Sequence, residues 1–319
     1  MVCPTCGIVG SGLFLLGLAL ILWSADAVVD GIKDLGEKYH KSTLILALLI
    51  MGIDLEESMA SIFAASRDLP EIALGNVIGN TIISLTFCFA LPALIYTIHF
   101  ESINKWYIWI VEISAILILI ALLVPEYLWV FGIGSLFIFI LYVTRSLKEF
   151  SKGSNSEESD ENEVNDPSWK IVLKLILGLI ILFIGSEALI EGTELLLDFT
   201  EWKESFFGLL VIAAATNIEE YFIMFKSIRV KKIEVGIGAL IGKVLWNLCI
   251  TFGFSALIIR NLSSVANSLN IAILLLIGGI IPVYITLSYR NHEMGKKIGV
   301  YLMICFIIFL LFAFFSNLY

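Results

Sequence analysis

Long apolar stretches alternate with short polar segments along the whole chain. Apolar stretches of about 18 residues or more have the length that an α-helix needs to cross a bilayer. The pattern predicts about ten transmembrane helices, near residues 8–30, 41–66, 72–98, 106–124, 127–146, 169–193, 204–227, 234–260, 268–288 and 296–317. The chain is 59% hydrophobic, above the roughly 45–50% of soluble domains. We therefore expect an all-α membrane protein surrounded by membrane lipid.

One long hydrophilic segment, residues 147–168, interrupts this pattern and carries seven acidic residues. Such a composition favours a solvated, disordered spacer, and a regulatory or ion-concentrating role is the alternative. The segment predicts three parts: a first five-helix repeat over 1–146, an acidic linker over 147–168, and a second five-helix repeat over 169–319.

The distribution of Lys and Arg predicts the orientation of the chain. With the N-terminus outside, the inner loops and helix ends carry sixteen basic residues, and the outer ones carry only Arg67, Lys203 and Arg260. Both termini are then outside and the linker is cytoplasmic, in the cell membrane, which we expect to be a prokaryotic plasma membrane. Lys243 belongs to neither group of basic residues, because it lies inside the eighth predicted helix.

An odd number of helices in each half reverses the direction of the second half, so the halves should form inverted-topology repeats. A repeat is found at an offset of 163. Its first copy contains Glu56, Glu57, Glu71, Gly75, Ile78, Gly79 and Leu85, which fall on Glu219, Glu220, Glu234, Gly238, Ile241, Gly242 and Leu248. Inverted repeats with polar residues at the midplane are typical of secondary transporters.

Charged and polar side chains inside the predicted helices indicate a site. A charge at the membrane centre costs about 2.5–3.5 kcal/mol on insertion scales. Residues three or four apart share one helix face, and the polar residues with this spacing are Asp54, Glu57, Asn80, Ser84, Thr216, Asn217, Glu220, Lys243 and Asn247. Their oxygens suit Ca2+, which takes about six to eight hard oxygen ligands. Na+ or a proton could use the same oxygens, and no resident cofactor is expected.

Two motif segments carry a family resemblance. The first repeat reads Gly52-Ile53-Asp54-Leu55-Glu56-Glu57, then Gly75-Asn76-Val77-Ile78-Gly79-Asn80-Thr81, and the second reads Ala215-Thr216-Asn217-Ile218-Glu219-Glu220, then Gly238-Ala239-Leu240-Ile241-Gly242-Lys243-Val244. These segments resemble the cation/Ca2+ exchanger superfamily, whose inverted repeats carry Gly-Thr-Ser-x-Pro-Glu followed by Gly-Asn-x-x-Gly-Ser-Asn. The resemblance implies an antiporter, without enzyme activity, that exchanges Ca2+ or another divalent cation for Na+ or H+. It also implies alternating access, in which the first and sixth helices slide against the other eight.

The resemblance implies a role for each matching position. Glu57 and Glu220 correspond to the two central glutamates that bind the metal ion. The flanking positions that it assigns to cation binding are Asp54, Asn217, Asn80, Ser84 and Asn247, and Lys243 stands where the motif has a serine. Inorganic cations and lipid are the implied partners, with no nucleic acid.

Two departures from the family pattern leave alternatives open. Glu56 and Glu219 replace the motif proline, so either the helix continues there or the extra carboxylates line the pathway. A protonated lysine donates and cannot coordinate a cation. Lys243 could replace a bound Na+, could make transport proton-coupled, or could form a structural ion pair that inactivates exchange.

Other functions remain as alternatives. A cation channel or a non-transporting homologue could carry the same carboxylates. An intramembrane enzyme could use them as acid and base, but no nucleophile or metal motif accompanies them in the sequence. Cys3 and Cys6 form half of a zinc motif, and because no second pair follows, they are interpreted as thiols without a metal.

Overall fold

The computed structural model describes residues 4–37, 53–99, 103–152, 168–200, 203–217, 220–221, 224–225, 228, 233–259, 267–291 and 293–318. The helices are α1 (Pro4–Glu37), α2 (Leu55–Ser66), α3 (Pro70–Leu85), α4 (Phe87–Ile95), α5 (Lys105–Leu123), α6 (Leu128–Lys152), α7 (Ser168–Thr200), α8 (204–216), α9 (233–258), α10 (267–291) and α11 (Lys296–Leu318). A short 3-10 turn, Pro125–Tyr127, precedes α6. Two short strands, β1 (Ile98–His99) and β2 (Glu293–Met294), pair antiparallel.

Seven segments of the described residues are long and apolar enough to cross a membrane. They are Pro70–Ile95, Lys105–Leu123, Pro125–Lys148, Ile176–Leu197, Gly236–Ile258, Asn267–Tyr289 and Lys296–Phe315. The predicted fold class, an all-α protein with several membrane-crossing helices, is confirmed. The count of about ten helices, the inverted repeats and the position of the termini stay predictions.

The two segments that carry Asn80 with Ser84 and Lys243 with Asn247 are the most buried of these seven. Their most apolar stretches are 78% buried in Pro70–Ile95 and 83% buried in Gly236–Ile258, against 22% in Pro125–Lys148 and 28% in Lys296–Phe315. Every residue of α3 from Ile72 to Leu85 is buried. Polar groups on α3 and α9 therefore face protein, whereas α6 and α11 present large apolar side chains at the surface, as lipid contact requires.

Glycines allow close contact between α3 and α8. A methyl group on Gly75 would lie 2.9 Å from the backbone nitrogen of Leu209, and one on Gly79 would meet the Leu209 carbonyl group. Gly208 approaches α3 in the same way, because an added methyl group would meet the backbone of Ile72. Because the two backbones are this close, Asn80 and Ser84 on α3 lie next to Thr216 and Asn217 at the end of α8.

Glycines also join α1 to α7, which pack along each other. An added methyl group on Gly17 would meet the backbone of Leu189, and one on Gly192 would meet the backbone of Phe14. The end of α2 is tied to the same helix, because Arg67 forms ion pairs with Glu187 and Glu194 on α7. The pair α1–α7 is therefore held as one unit beside α2.

The helices of the site are interrupted. Residues 53 and 54 are not helical and α2 begins at Leu55, while Thr86 separates α3 from α4. The predicted helices 41–66 and 72–98 are therefore not continuous, and residues 38–52 lie outside the described part. Short π-helical turns occur within α8 at Phe207–Ile212 and within α9 at Asn247–Thr251. Such turns are frequent at functional sites, but α10, which contributes no residue to the site described below, also contains two, at Leu276–Ile280 and Leu287–Asn291.

Candidate functional site

Lys243 lies at the centre of a buried acidic cluster. Its Nζ is 3.2 Å from Asp54 Oδ2 and 2.9 Å from Glu57 Oε1, and it also forms an ion pair with Glu220 Oε1. All four residues are at most 6% exposed. One ammonium group from α9 thus contacts three carboxylates that come from the start of α2 and from the segment after α8.

Asp54 reaches the cluster as the N-cap of α2. Its Oδ1 accepts a hydrogen bond from the backbone N–H of Glu57 at 3.3 Å. A carboxylate in this position satisfies a free N–H group and interacts favourably with the helix dipole. Their spacing had predicted that Asp54 and Glu57 share a helix face. This prediction is wrong, because Asp54 precedes the first residue of the helix. The cap brings the two carboxylates together instead.

Glu220 reaches the cluster beyond the end of α8. The described helix stops at Thr216, and Asn217 caps it with φ −81° and ψ 0°. Residues 218–219 lie outside the described part, so the predicted alternatives for Glu219 are not addressed by the structure. The backbone of Glu56 belongs to α2, and its side chain likewise lies outside the description.

Asn247 binds the carboxylates through its amide nitrogen. Nδ2 lies 3.0 Å from Asp54 Oδ2, 2.8 Å from Glu57 Oε2 and 3.0 Å from Asn80 Oδ1. The amide has two hydrogens for these three acceptors. Its oxygen instead accepts a hydrogen bond from Thr251 Oγ1 at 3.0 Å. In this conformation Asn247 is a donor that holds the acidic side chains in place.

A hydrogen-bond relay behind the site fixes the Asn247 amide. Trp246 Nε1 donates to Ser58 Oγ at 2.7 Å, and the hydroxyl groups of Ser58 and Thr251 are 2.7 Å apart. The Ser58 hydroxyl also donates to the backbone oxygen of Asp54 at 2.6 Å. Because each hydroxyl has one proton, Ser58 and Thr251 share two protons among Asp54, Asn247 and each other, and they link Trp246 to Asn247. Ser58, Trp246 and Thr251 were not predicted as site residues from the sequence. A signal was present, because Ser58 follows Asp54 by four residues and Thr251 follows Asn247 by four.

We expect Thr251→Val to destabilise the protein by about 1–3 kcal/mol, because it leaves the buried Asn247 oxygen without its donor. Denaturant unfolding in detergent measures this loss. Thr286→Val is the matched control, since that exposed hydroxyl donates only to Pro282 O in its own helix, and it should cost less than about 0.5 kcal/mol. Equal losses in the two variants would show that the relay does not stabilise the site.

The remaining predicted residues join the site across α3 and α8. Asn80 Nδ2 is 3.4 Å from Thr216 Oγ1, and Ser84 Oγ donates to Asn217 Oδ1 at 2.7 Å. Ser84 also lies 3.3 Å from Asn80 Oδ1, which contacts Asn247. All nine predicted residues whose side chains are described therefore belong to one continuous polar network.

The oxygens of the network suit a cation, although an ammonium now stands between the carboxylates. Among the described residues, no group of three or more His, Cys, Asp or Glu side chains is arranged to hold a metal ion. Glu220 Oε2 is buried and has no hydrogen-bond partner in the part of the chain that the structure describes. A buried carboxylate oxygen without a donor is costly, and it is available to a cation.

Known proteins resemble this chain over most of its length. A family model described as sodium/calcium exchanger protein matches residues 9–148 and 170–315. An uncharacterized membrane protein of Methanocaldococcus jannaschii is 25% identical over 305 residues, covering 94% of this chain and 97% of that protein. CaxA of Alkalimonas amylolytica, which is named as an antiporter, is 26% identical over 258 residues, covering 76% of this chain and 79% of that protein. A solved sodium-calcium exchanger soaked with Na+ and Sr2+ has the same fold, with a TM-score of 0.66, 22% identity, and coverage of 94% and 97%.

Proposed function

The chain belongs to the sodium/calcium exchanger family, and from its site we propose that it is a secondary antiporter that moves a divalent cation, Ca2+, against Na+ or H+. The observation that carries the proposal is the convergence of Asp54, Glu57 and Glu220 in the interior. Carboxylates are the ligands that Ca2+ prefers, and acidic groups at membrane depth are rarely kept without a function.

We propose Glu57 and Glu220 as the central metal ligands. The other cation-binding positions proposed are Asp54, Asn217, Thr216, Asn80, Ser84 and Asn247. The open oxygen Glu220 Oε2 supports this assignment. In this structure the amide nitrogen of Asn247 donates to Asp54 and Glu57, so Asn247 supports cation binding by holding these two carboxylates in place.

Alternating access is the proposed mechanism. Two inverted five-helix repeats, residues 1–146 and 169–319, would surround the site, with both termini outside and the linker 147–168 in the cytoplasm. The first and sixth helices of that arrangement would slide as a gate. The backbone contact between α1 and α7 supports this motion, because helices held so closely move as one body.

A second candidate function follows from the ammonium of Lys243, which already stands among the three carboxylates. If these ion pairs were permanent, no cation could enter, and the chain would be a non-transporting member of the family. A measurement of cation transport therefore distinguishes an antiporter from a non-transporting member of the family.

Uptake of radioactive Ca2+ into proteoliposomes tests the proposal. We expect uphill Ca2+ accumulation when an outward Na+ gradient or an outward H+ gradient is imposed, and loss of accumulation when an ionophore dissipates that gradient. Absence of accumulation under both gradients would contradict antiport and favour the second candidate. Uptake that needs no gradient would indicate a channel.

A further inference from the structure

The four charged side chains at the centre of the site carry an unequal balance of charge. Asp54, Glu57 and Glu220 all contact the single ammonium of Lys243. With all three acids ionised, one ammonium compensates one carboxylate, which leaves two negative charges. The amide of Asn247 that also contacts the acids is uncharged. Buried charges without counter-charges are strongly unfavourable, so two monovalent cations or one divalent cation can compensate the two remaining charges.

Lys243 differs from any transported ion because it is covalently held. It belongs to α9, and only 4% of it is exposed. Its flexible stem lets the ammonium shift from one carboxylate to another while it stays in the site. A transported monovalent ion leaves the site in every cycle, whereas the ammonium is present when the divalent cation is bound and also when the driving ions are bound.

We infer that Lys243 is a resident cation that makes the exchange electroneutral, with one divalent cation exchanged for two monovalent cations. The inference rests on the antiport proposed above and concerns the charge moved in each cycle. The ammonium takes the place of one monovalent cation, so two driving ions, instead of three, occupy the three carboxylates in exchange for one divalent cation. No net charge then crosses the membrane, and the membrane potential does not drive transport.

The test measures the equilibrium ratio of internal to external Ca2+ in proteoliposomes at one fixed driving-ion gradient, with the membrane potential set by K+ and valinomycin. For a carrier that moves one net charge per cycle, about 100 mV changes this ratio roughly 50-fold. We expect the ratio for the unaltered protein to be the same with and without the potential.

Variants at Lys243 report on the ammonium itself. In Lys243→Gln the place of the ammonium is open to a third driving ion, while the divalent half of the cycle still carries a charge of two, so the ratio should become potential-dependent by roughly 50-fold per 100 mV. Lys243→Arg keeps the charge and should remain insensitive. Lys297→Gln, at an exposed lysine at the start of α11, is the matched control and should match the unaltered protein.

The outcomes separate this inference from the proposed function. Absence of gradient-driven uptake in the unaltered protein overturns the antiport and the inference together. Uptake whose equilibrium ratio follows the potential leaves the antiport standing and overturns the inference, and so does a potential-insensitive Lys243→Gln. If Lys243→Gln does not fold, the unaltered protein and Lys243→Arg decide.

Discussion

Glutamine at either central acid should abolish most transport: we expect Glu57→Gln and Glu220→Gln each to lower the initial rate of Ca2+ uptake by about 10- to 100-fold. Glutamine keeps the size of the side chain and one oxygen, but it removes the negative charge. Interactions with a charged partner are worth about 1.5–3 kcal/mol, and each 1.4 kcal/mol is a factor of ten. Uptake into proteoliposomes measures the rate.

The matched control for these variants is Glu126→Gln. Glu126 is exposed in the turn Pro125–Tyr127, and it takes no part in the three ion pairs of Lys243. We expect this variant to keep the transport rate of the unaltered protein. Full activity in folded Glu57→Gln and Glu220→Gln protein would exclude these acids as the ligands.

Replacing Lys243 by methionine should make the protein depend on divalent cations for stability. Without the ammonium, three buried carboxylates lack their counter-charge, and breaking a buried ion pair costs about 3–5 kcal/mol. A cation that binds only the folded state restores stability by mass action. We therefore expect Lys243→Met to unfold at lower denaturant in a chelator, and Ca2+ to recover most of the loss.

Unfolding curves in detergent, with chelator and with Ca2+, measure both effects. Lys297→Met removes an exposed lysine from the start of α11 and should leave both curves unchanged. A Lys243→Met protein as stable as the unaltered one in chelator would mean that the ammonium does not hold the three acids together.

Much of the site could be predicted because membrane burial makes a polar residue informative. Asp54, Glu57 and Glu220 fall in apolar stretches where a charge has a large cost, and their duplication directed attention to one place. Lys243 was distinguished by the same reasoning, since it lies far from either end of its helix. The structure places its ammonium against all three acids.

The local geometry was harder to predict. Asp54 and Glu57 have the spacing of an N-cap and the third residue of a helix, a signal that indicates a helix start at Leu55 rather than a continuous helix. The orientation of Asn247 depends on Thr251 and, through it, on Ser58 from another helix. The orientation of this amide depends on tertiary contacts, which the hydropathy pattern does not encode. The π-helical turn at Asn247–Thr251 has the same origin.

The most direct test of the central claim is a crystal structure of the protein soaked with Sr2+, a divalent cation whose anomalous scattering identifies it. We predict one strong anomalous peak bonded to carboxylate oxygens of Glu57 and Glu220, near the distances of about 2.3–2.6 Å known for Ca2+, with Lys243 Nζ no longer between these two side chains. Occupied Sr2+ sites elsewhere, with the ion pairs of Lys243 to Glu57 and Glu220 intact, would contradict a divalent-cation site at these residues.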